Sequence, residues 1–456
     1  MKTDELAREI AADIGTDKVT TAPEDLVCYA YDCSIYTSKP DIVVRAESKL
    51  DIARVLKIAN NKKVPVIARG AATSNCGAVI PTTGGIILDM LGMDKIIEID
   101  EDNFIVVCEP GVVTAVLQAE VEKRGLFYPP DPQGLNMSTI GGNVATGAGG
   151  PRAVKYGTTR DYVLSLETII ADGSILRTGG KFVKDVSGYN LTQLLVGSEG
   201  TLGVFTEIGV KLLPLPEARK TVLCTFASLD DASIAVTEIL RSKVIPSMLE
   251  LLDKTSVQLI QNYMDAGYPT DAEAILLIEV DGSKADVESQ VVTVKNVCMS
   301  CRAGEIRIAG TRAEEESIWA GRKSGFAALS AYRPVVIPED ATVPRSRLPE
   351  MIRQVQAIAK KYDMLLPTFG HAGDGNAHPH ICINPGTAEL EKAKKIKDEI
   401  YREALKLGGT ITGEHGVGMV KRHLAKLQHG DKALELMAGI KKAFDPNNIL
   451  NPGKAF

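Results

Sequence analysis

Three runs of small residues limit what this chain can fold into: Arg69-Gly70-Ala71-Ala72-Thr73-Ser74-Asn75-Cys76-Gly77, Ser138-Thr139-Ile140-Gly141-Gly142-Asn143 and Gly197-Ser198-Glu199-Gly200-Thr201-Leu202-Gly203-Val204. The first follows a β-rich stretch, Val64 to Ala68, and the third leads into another strand. Small side chains let backbone N–H groups turn inward toward an anion, and Thr73 and Ser74 add hydroxyl donors. The Arg69–Gly77 run therefore reads as a phosphate cradle or as a plain turn. The second run sits in a long irregular stretch, Tyr128 to Tyr156, with Pro129-Pro130-Asp131-Pro132 before it and Ala148-Gly149-Gly150 after it. Loops of that length inside a domain are usually functional, and so many glycines imply close backbone approach to something bulky. Neither G-x-G-x-x-G nor G-x-x-x-x-G-K-[ST] occurs, which argues against a Rossmann dinucleotide site and a P-loop.

Strand and helix patterns alternate around these runs. The first forty residues read as helices and a loop, beginning with a charged amphipathic stretch from Met1 to Ile14 that lacks a signal-peptide core. Ile42–Arg45 is β-rich, and Ser48-Lys49-Leu50-Asp51 has capping-box spacing before a helix expected to bury Leu50, Ala53, Leu56 and Ile58. Strands are expected at Ile86–Asp89, Ile96–Asp100 and Phe104–Cys108, then a helix from Val112 to Lys123. Val163 to Leu176 reads as a hairpin turned at Asp172-Gly173. After Pro214-Leu215-Pro216 the pattern changes, placing a domain boundary near residue 218. Strand Thr221–Phe226, helix Asp230–Ser242, apolar segment Met248–Leu252, strand Ala274–Val280, helix Ala285–Cys298 and strand Glu305–Ile308 follow in a ferredoxin-like rhythm. It recurs from Val335 through a helix at Arg353–Lys361 to the strands around a histidine-rich turn, and a helix from Thr387 to Leu407 comes next.

A chain of 456 residues exceeds what one core usually organises, so two or three domains are expected. A net charge of −6 without any basic run argues against nucleic acid as a partner. No apolar run reaches the roughly 18 residues of a membrane span, so a protein that is cytoplasmic, or at most peripheral to a membrane, is expected. The eight cysteines are scattered, and the single CxxC, Cys298 and Cys301, has no second pair to complete a cluster or zinc ribbon. Reduced, mostly buried thiols are the plain reading. The chain thus shows no wire of its own for single electrons.

Four of only six histidines fall in two short runs, Gly370-His371-Ala372-Gly373-Asp374-Gly375-Asn376-Ala377-His378-Pro379-His380 and Gly413-Glu414-His415-Gly416. His371 and His378 bracket a tight turn, so strands on either side would aim both imidazoles at one point. With Glu414 as an oxygen ligand, such a mixed set suits zinc, manganese or iron(II) and leaves positions open for substrate. The alternative is a set of hydrogen-bonded histidines around a turn. His380 falls on the face of His378 in a regular strand and reads as an extra ligand or a substrate contact.

The three small-residue runs, together with Tyr156-Gly157, occur in the order found in FAD-binding domains of the vanillyl-alcohol-oxidase (PCMH-type FAD) superfamily. The segment Asp445-Pro446-Asn447-Asn448-Ile449-Leu450-Asn451-Pro452-Gly453-Lys454 resembles the tail of its 2-hydroxy-acid dehydrogenase branch, which holds D-lactate dehydrogenases, the flavin subunit of glycolate oxidase and D-2-hydroxyglutarate dehydrogenase. The resemblance runs from about residue 38 to 456. It implies an α+β architecture: a two-subdomain FAD-binding domain at 1–217, a ferredoxin-like α+β cap domain at 218–412, and a segment, 413–456, returning to the first. FAD contacts are implied at Arg69, Gly70, Ala71, Ala72, Thr73, Ser74 and Asn75, where the pyrophosphate would lie. Others are implied at Pro132, Ser138, Thr139, Gly142, Asn143, Gly149, Tyr156, Glu199, Gly200, Gly203, Val204 and Asn451. Relatives with covalent flavin carry a histidine in the pyrophosphate loop; none stands here, so non-covalent FAD is expected.

By the same resemblance His371, His378 and Glu414 match metal ligands, His415 the catalytic base, and Arg322, in Trp319-Ala320-Gly321-Arg322-Lys323-Ser324, the substrate arginine. The plain reading of Arg322 is a surface residue on a charged helix. Oxidising a 2-hydroxy acid removes a hydroxyl proton and a hydride from Cα. A metal lowers the pKa of bound water from about 15.7 to about 7, on the order of 10 kcal/mol, an upper guide for an alcohol. His415 then takes the proton near neutral pH, the hydride goes to flavin N5, and a guanidinium grips the substrate carboxylate. The implied activity is an FAD- and metal-dependent dehydrogenase of a small D-2-hydroxy acid, D-lactate first. Electrons would pass to an electron-transferring flavoprotein or an iron–sulfur subunit. Glycolate or 2-hydroxyglutarate dehydrogenase, a silent FAD-binding subunit and a flavin-free metal hydrolase are the rivals. Glu339 and Asp340, in Pro338-Glu339-Asp340-Ala341-Thr342-Val343-Pro344, have no assigned role.

Overall fold

A computed structural model describes residues 3–386 and 388–456. The chain divides into two compact units, one made of Met1–Gly149, Thr158–Leu215 and Glu414–Phe456, the other of Gly150–Gly157 and Pro216–Gly413.

The first unit carries two main sheets. In the four-stranded one, Val19–Thr20 pairs antiparallel with Ile42–Arg45, and Ile86–Asp89 runs parallel to both Ile42–Arg45 and Val66–Arg69. The helix Lys49–Lys62 crosses between parallel strands as such a connection requires. Ser48 caps it, accepting from Asp51 N at 3.3 Å, while the Asp51 carboxylate accepts from Glu47 N at 3.2 Å and from Lys18 Nζ at 2.9 Å. The capping box is therefore half formed, its acid reaching one residue past the cap. Ser48→Ala is expected to cost about 1 kcal/mol of stability, read as a lower unfolding midpoint by calorimetry. Leu56 and Ile58 are buried as expected and Ala53 packs against the core, but Leu50 is 58% exposed, and Ile52, Val55 and Ala59 complete the inner face. Asp51 lies on the inner side, where its Oδ2 accepts from both Lys18 and Glu47 N.

The second sheet is antiparallel, in the order Ile96–Asp100, Ile105–Cys108, Val204–Lys211, Val163–Ile169, Ile175–Gly179. The hairpin expected at Asp172-Gly173 joins its last two strands. The stretch Tyr128–Tyr156, expected to be irregular, contains the helix Ile140–Thr146, capped by Thr139 accepting from Gly142 N at 3.2 Å and closed by Gly147. Its glycines mask the pattern. No helix among the described residues is long and apolar enough to cross a membrane.

The second unit is built on one large antiparallel sheet. Its order is Ala303–Ile308, Ala218–Phe226, Ala274–Gly282, Met248–Asp253, Thr368–His371, Asn376–Ile383, Val335–Pro338, with Ala341–Thr342 also paired to Asn376–Ile383. Helices Leu229–Arg241, Lys284–Ser300, Leu348–Tyr362 and Glu389–Lys406 pack one face, as the ferredoxin-like rhythm suggests. The start of that last helix, expected at Thr387, lies outside the described residues. Helices Lys254–Tyr263, Arg312–Lys323 and Gly325–Tyr332 pack the other face. The strand Ala274–Gly282 is buried on both sides: Leu276 and Ile278 enter the first core, Ile275 and Leu277 the second. That explains its unbroken apolar run.

Candidate active site

In the second unit, strand register gathers the chemistry on the face covered by Arg312–Lys323 and Gly325–Tyr332. His371 lies opposite both Glu250 and Asn376, and His378 lies opposite Phe369. Side chains alternate along a strand, so Glu250, Phe369, His371, His378 and His380 share that face. The His371 and His378 rings stand 5.0 Å apart and nearly perpendicular. Each ring is tied through Nδ1: His371 lies 2.6 Å from Glu250 Oε1, and His378 lies 3.0 Å from the Glu339 carbonyl oxygen. With acceptors at both Nδ1 positions the proton belongs there, and Nε2 carries the lone pair a cation would use. This is the outer-shell pattern of metal-ligating histidines, so the residues fit a divalent metal.

Glu250 was invisible as a functional residue in the sequence, where it lies within the apolar segment Met248–Leu252. The signal was there: a lone acid amid leucines on a buried strand. Its side chain is fully enclosed, and Oε2 also accepts from Arg322 Nε at 2.8 Å and lies 2.6 Å from Nη2 in the same ion pair. Burial alone would push this carboxyl up, but the Arg322 charge and the hydrogen bonds from His371 and Arg322 hold it down at about 2. Arg322 is buried at 4% exposure, its guanidinium 4.5 Å over the Phe369 ring, so its plain reading as a surface residue is set aside. His380 stacks on the same ring at 4.2 Å, with Nδ1 3.3 Å from the Pro367 carbonyl oxygen.

Glu339 and Asp340 are both enclosed. Glu339 accepts from the Tyr401 hydroxyl at 2.6 Å, and burial with this neighbouring charge raises the Tyr401 pKa well above its usual value. Asp340 accepts from Thr412 Oγ1 at 2.7 Å and Gly413 N at 2.8 Å, and one of its oxygens lies within 4.8 Å of a His378 ring nitrogen. Tyr156 also falls in this unit, donating to Asp281 Oδ2 at 2.7 Å.

In the first unit, the backbone N–H groups from Gly70 to Asn75 donate to no protein acceptor among the described residues, although the loop is half-buried. Ala72 has a φ of 55°, the left-handed turn that lets successive amides converge. A row of unspent donors on small residues fits an anion such as a pyrophosphate. A Cβ on Gly70 would come 2.5 Å from Thr139 Oγ1, so the first two small-residue runs meet here. Several flanking side chains are spent on the protein. Arg69 donates to the Tyr31 carbonyl at 2.7 Å, and Ser138 and Asn143 bond Thr114 Oγ1 at 2.9 and 2.8 Å. Pro132 is half-buried, Val204 is paired with Ile169, and a Cβ on Gly203 would strike the Thr168 methyl.

Glu199 clamps the Glu414–Gly418 turn, accepting from Val417 N at 2.6 Å and Gly418 N at 2.8 Å. Burial pushes its carboxyl up and these two N–H groups oppose the shift. Gly200 follows it, and Asn451 donates to the carbonyls of Glu199 at 2.6 Å and Ala78 at 2.9 Å. Gly149 lies against Glu414: a Cβ there would sit 2.5 Å from Oε2. The held turn brings His415 Nδ1 to 3.3 Å from the Asn75 side-chain amide, joining the expected base to the donor loop.

A family described as FAD binding domain matches residues 40–179, and one described as FAD linked oxidases, C-terminal domain, matches residues 215–455. The glycolate oxidase subunit GlcD of Bacillus subtilis (strain 168) is 45% identical over 430 residues, 94% of this chain and 92% of the relative. A D-lactate dehydrogenase of Anaerostipes hadrus is 36% identical over 427 residues, 91% of this chain and 90% of the relative. Among solved structures, p-cresol methylhydroxylase with substrate bound shares the fold at a TM-score of 0.85 and 18% identity, over 99% of this chain and 96% of that one.

Proposed function

Because the chain belongs to the FAD-linked oxidases, an assignment that makes it an FAD-dependent oxidoreductase of hydroxy acids, we propose that it oxidises a small D-2-hydroxy acid with non-covalent FAD and a divalent cation. D-lactate giving pyruvate is the first reading. Glycolate stands beside it because the relative at 45% identity is named a glycolate oxidase subunit. The observation that carries the reading is the pair His371 and His378, each tied at Nδ1 and beside a buried arginine.

His371 and His378 would hold the cation, with Glu414 as the third ligand that the resemblance implies. The amides of Gly70–Asn75 would hold the FAD pyrophosphate. When bound, FAD supplies the two-electron acceptor for the Cα–H bond, and the cation supplies positive charge beside the substrate hydroxyl oxygen. Arg322 spends its Nε hydrogen on Glu250, whose Oε2 also lies 2.6 Å from Nη2, so its Nη1–Nη2 end is the edge for the substrate carboxylate. His415 takes the hydroxyl proton at Nε2, with the Asn75 amide, whose nitrogen stands 3.3 Å from Nδ1, turned over so that its oxygen accepts from Nδ1–H. Electrons then leave for a partner, and we assign an electron-transferring flavoprotein that role.

Anaerobic titration with D-lactate, L-lactate, glycolate and D-2-hydroxyglutarate, followed in the flavin spectrum, tests the reading. Bleaching by D-lactate or glycolate is expected, and a spectrum that none of the four acids changes would refute it. Reduced enzyme that transfers electrons to a quinone or an iron–sulfur subunit, and not to an electron-transferring flavoprotein, would remove only the partner assignment.

A further inference from the structure

We infer that Glu250 is the positioning residue of this site, one enclosed carboxylate that sets the metal ligand His371 with one oxygen and the substrate arginine Arg322 with the other. The inference rests on the functional reading above and extends it to a residue that touches neither substrate nor cation.

Glu250 is the cross-strand partner of His371, so the two side chains meet without help from any loop. Oε1 takes the Nδ1 hydrogen of His371 at 2.6 Å. That contact fixes the ring's tautomer, its rotation and the basicity of Nε2. Oε2 takes the Nε hydrogen of Arg322 at 2.8 Å and stands 2.6 Å from Nη2 in a buried ion pair. Phe369, on the neighbouring strand, supports the guanidinium from below. A hydrogen bond and ion pair along one edge and a ring under the plane hold the guanidinium in one orientation. No acceptor among the described residues meets Nη1. With no exposed surface, Glu250 can act only through these two partners. Its register is fixed by the sheet and its charge balances a buried arginine, so a shift of this carboxylate would move both partners together. Cation binding and substrate carboxylate binding are thereby coupled through one side chain.

The test uses the full-length FAD-loaded protein. Zn²⁺ and Mn²⁺ are titrated against a competing chelator without turnover, and KM and kcat are measured separately at saturating metal. Glu250→Gln keeps an acceptor for His371 but loses the charge facing Arg322. It is expected to bind metal about 10–100-fold more weakly, the usual effect of losing an outer-shell partner, and to raise KM more than it lowers kcat. Glu250→Gln risks failing to fold because it leaves a buried charge uncompensated. Glu250→Asp keeps the charge and withdraws the carboxylate by one methylene; it is expected to fold and to show an intermediate loss of metal affinity together with a raised KM. Wild-type metal affinity and KM in Glu250→Asp would overturn the inference, reducing Glu250 to charge balance. Wild-type protein that bound neither metal would overturn the metal reading itself, a result distinct from the behaviour of the variants.

Discussion

His415→Ala is expected to slow substrate-driven flavin reduction by about 10²–10⁴-fold, the usual contribution of a positioned general base, while FAD content stays at the wild-type level. The two readouts separate because His415 stands beside the donor loop without forming it. The amides from Gly70 to Asn75 belong to the backbone, and it is the Asn75 side chain of that loop that meets the imidazole. The turn that carries His415 is held by Glu199 through Val417 N and Gly418 N, contacts that alanine at position 415 leaves in place. Stopped-flow absorbance under anaerobic conditions gives the rate, and the flavin spectrum of the same sample gives the occupancy. Bleaching at the wild-type rate would remove His415 from the proton transfer.

His371→Ala is expected to weaken divalent-metal binding by more than the roughly 10–100-fold typical of an outer-shell loss, since an imidazole that would itself bind the ion is removed. Substrate-driven bleaching should fall with it, while FAD is retained. Glu250 keeps Arg322 as a partner in this variant, so its buried charge remains compensated and the sheet should hold. Metal analysis of the purified protein is the direct measurement. Chelator treatment of the wild type should reproduce the loss of bleaching and readdition of metal should reverse it. Full metal occupancy in His371→Ala would contradict the ligand assignment.

The parts of the fold that rest on local pattern were legible in advance. The Ser48 cap, the Asp172-Gly173 hairpin and the strands flanking the histidine turn all depend on residues close in sequence. The histidines stood out because the chain has so few. What stayed hidden depends on partners far along the chain. The helix Ile140–Thr146 looked irregular because glycines suppress its periodicity, although its cap was present at Thr139. Leu50 turned outward while Asp51, read only as a capping acid, is buried with its carboxylate held by Lys18 and Glu47 N. Glu250 was absorbed into an apolar strand, and its meaning came only from the register that set it opposite His371. Ser138 and Asn143 carry polar groups whose direction no spacing rule gives, and both turn toward Thr114.

The discontinuous make-up of the first unit bears on the order in which this protein can fold as it is made. Its parallel sheet is completed late: Val66 N donates to the Ile449 carbonyl, Asn451 N donates back to Val66, and Ile449 and Leu450 enter the core around Ile42 and Ile86. About 380 residues of synthesis separate those partners, on the order of 20–80 s at typical elongation rates. The long Pro216–Gly413 stretch of the second unit has emerged by then and can already be packed. The nascent first unit must therefore wait, with an apolar seam open, for nearly the whole of translation. A chain that stalls or is cut after Gly413 would leave that seam exposed, and such fragments are natural clients for chaperones and proteases.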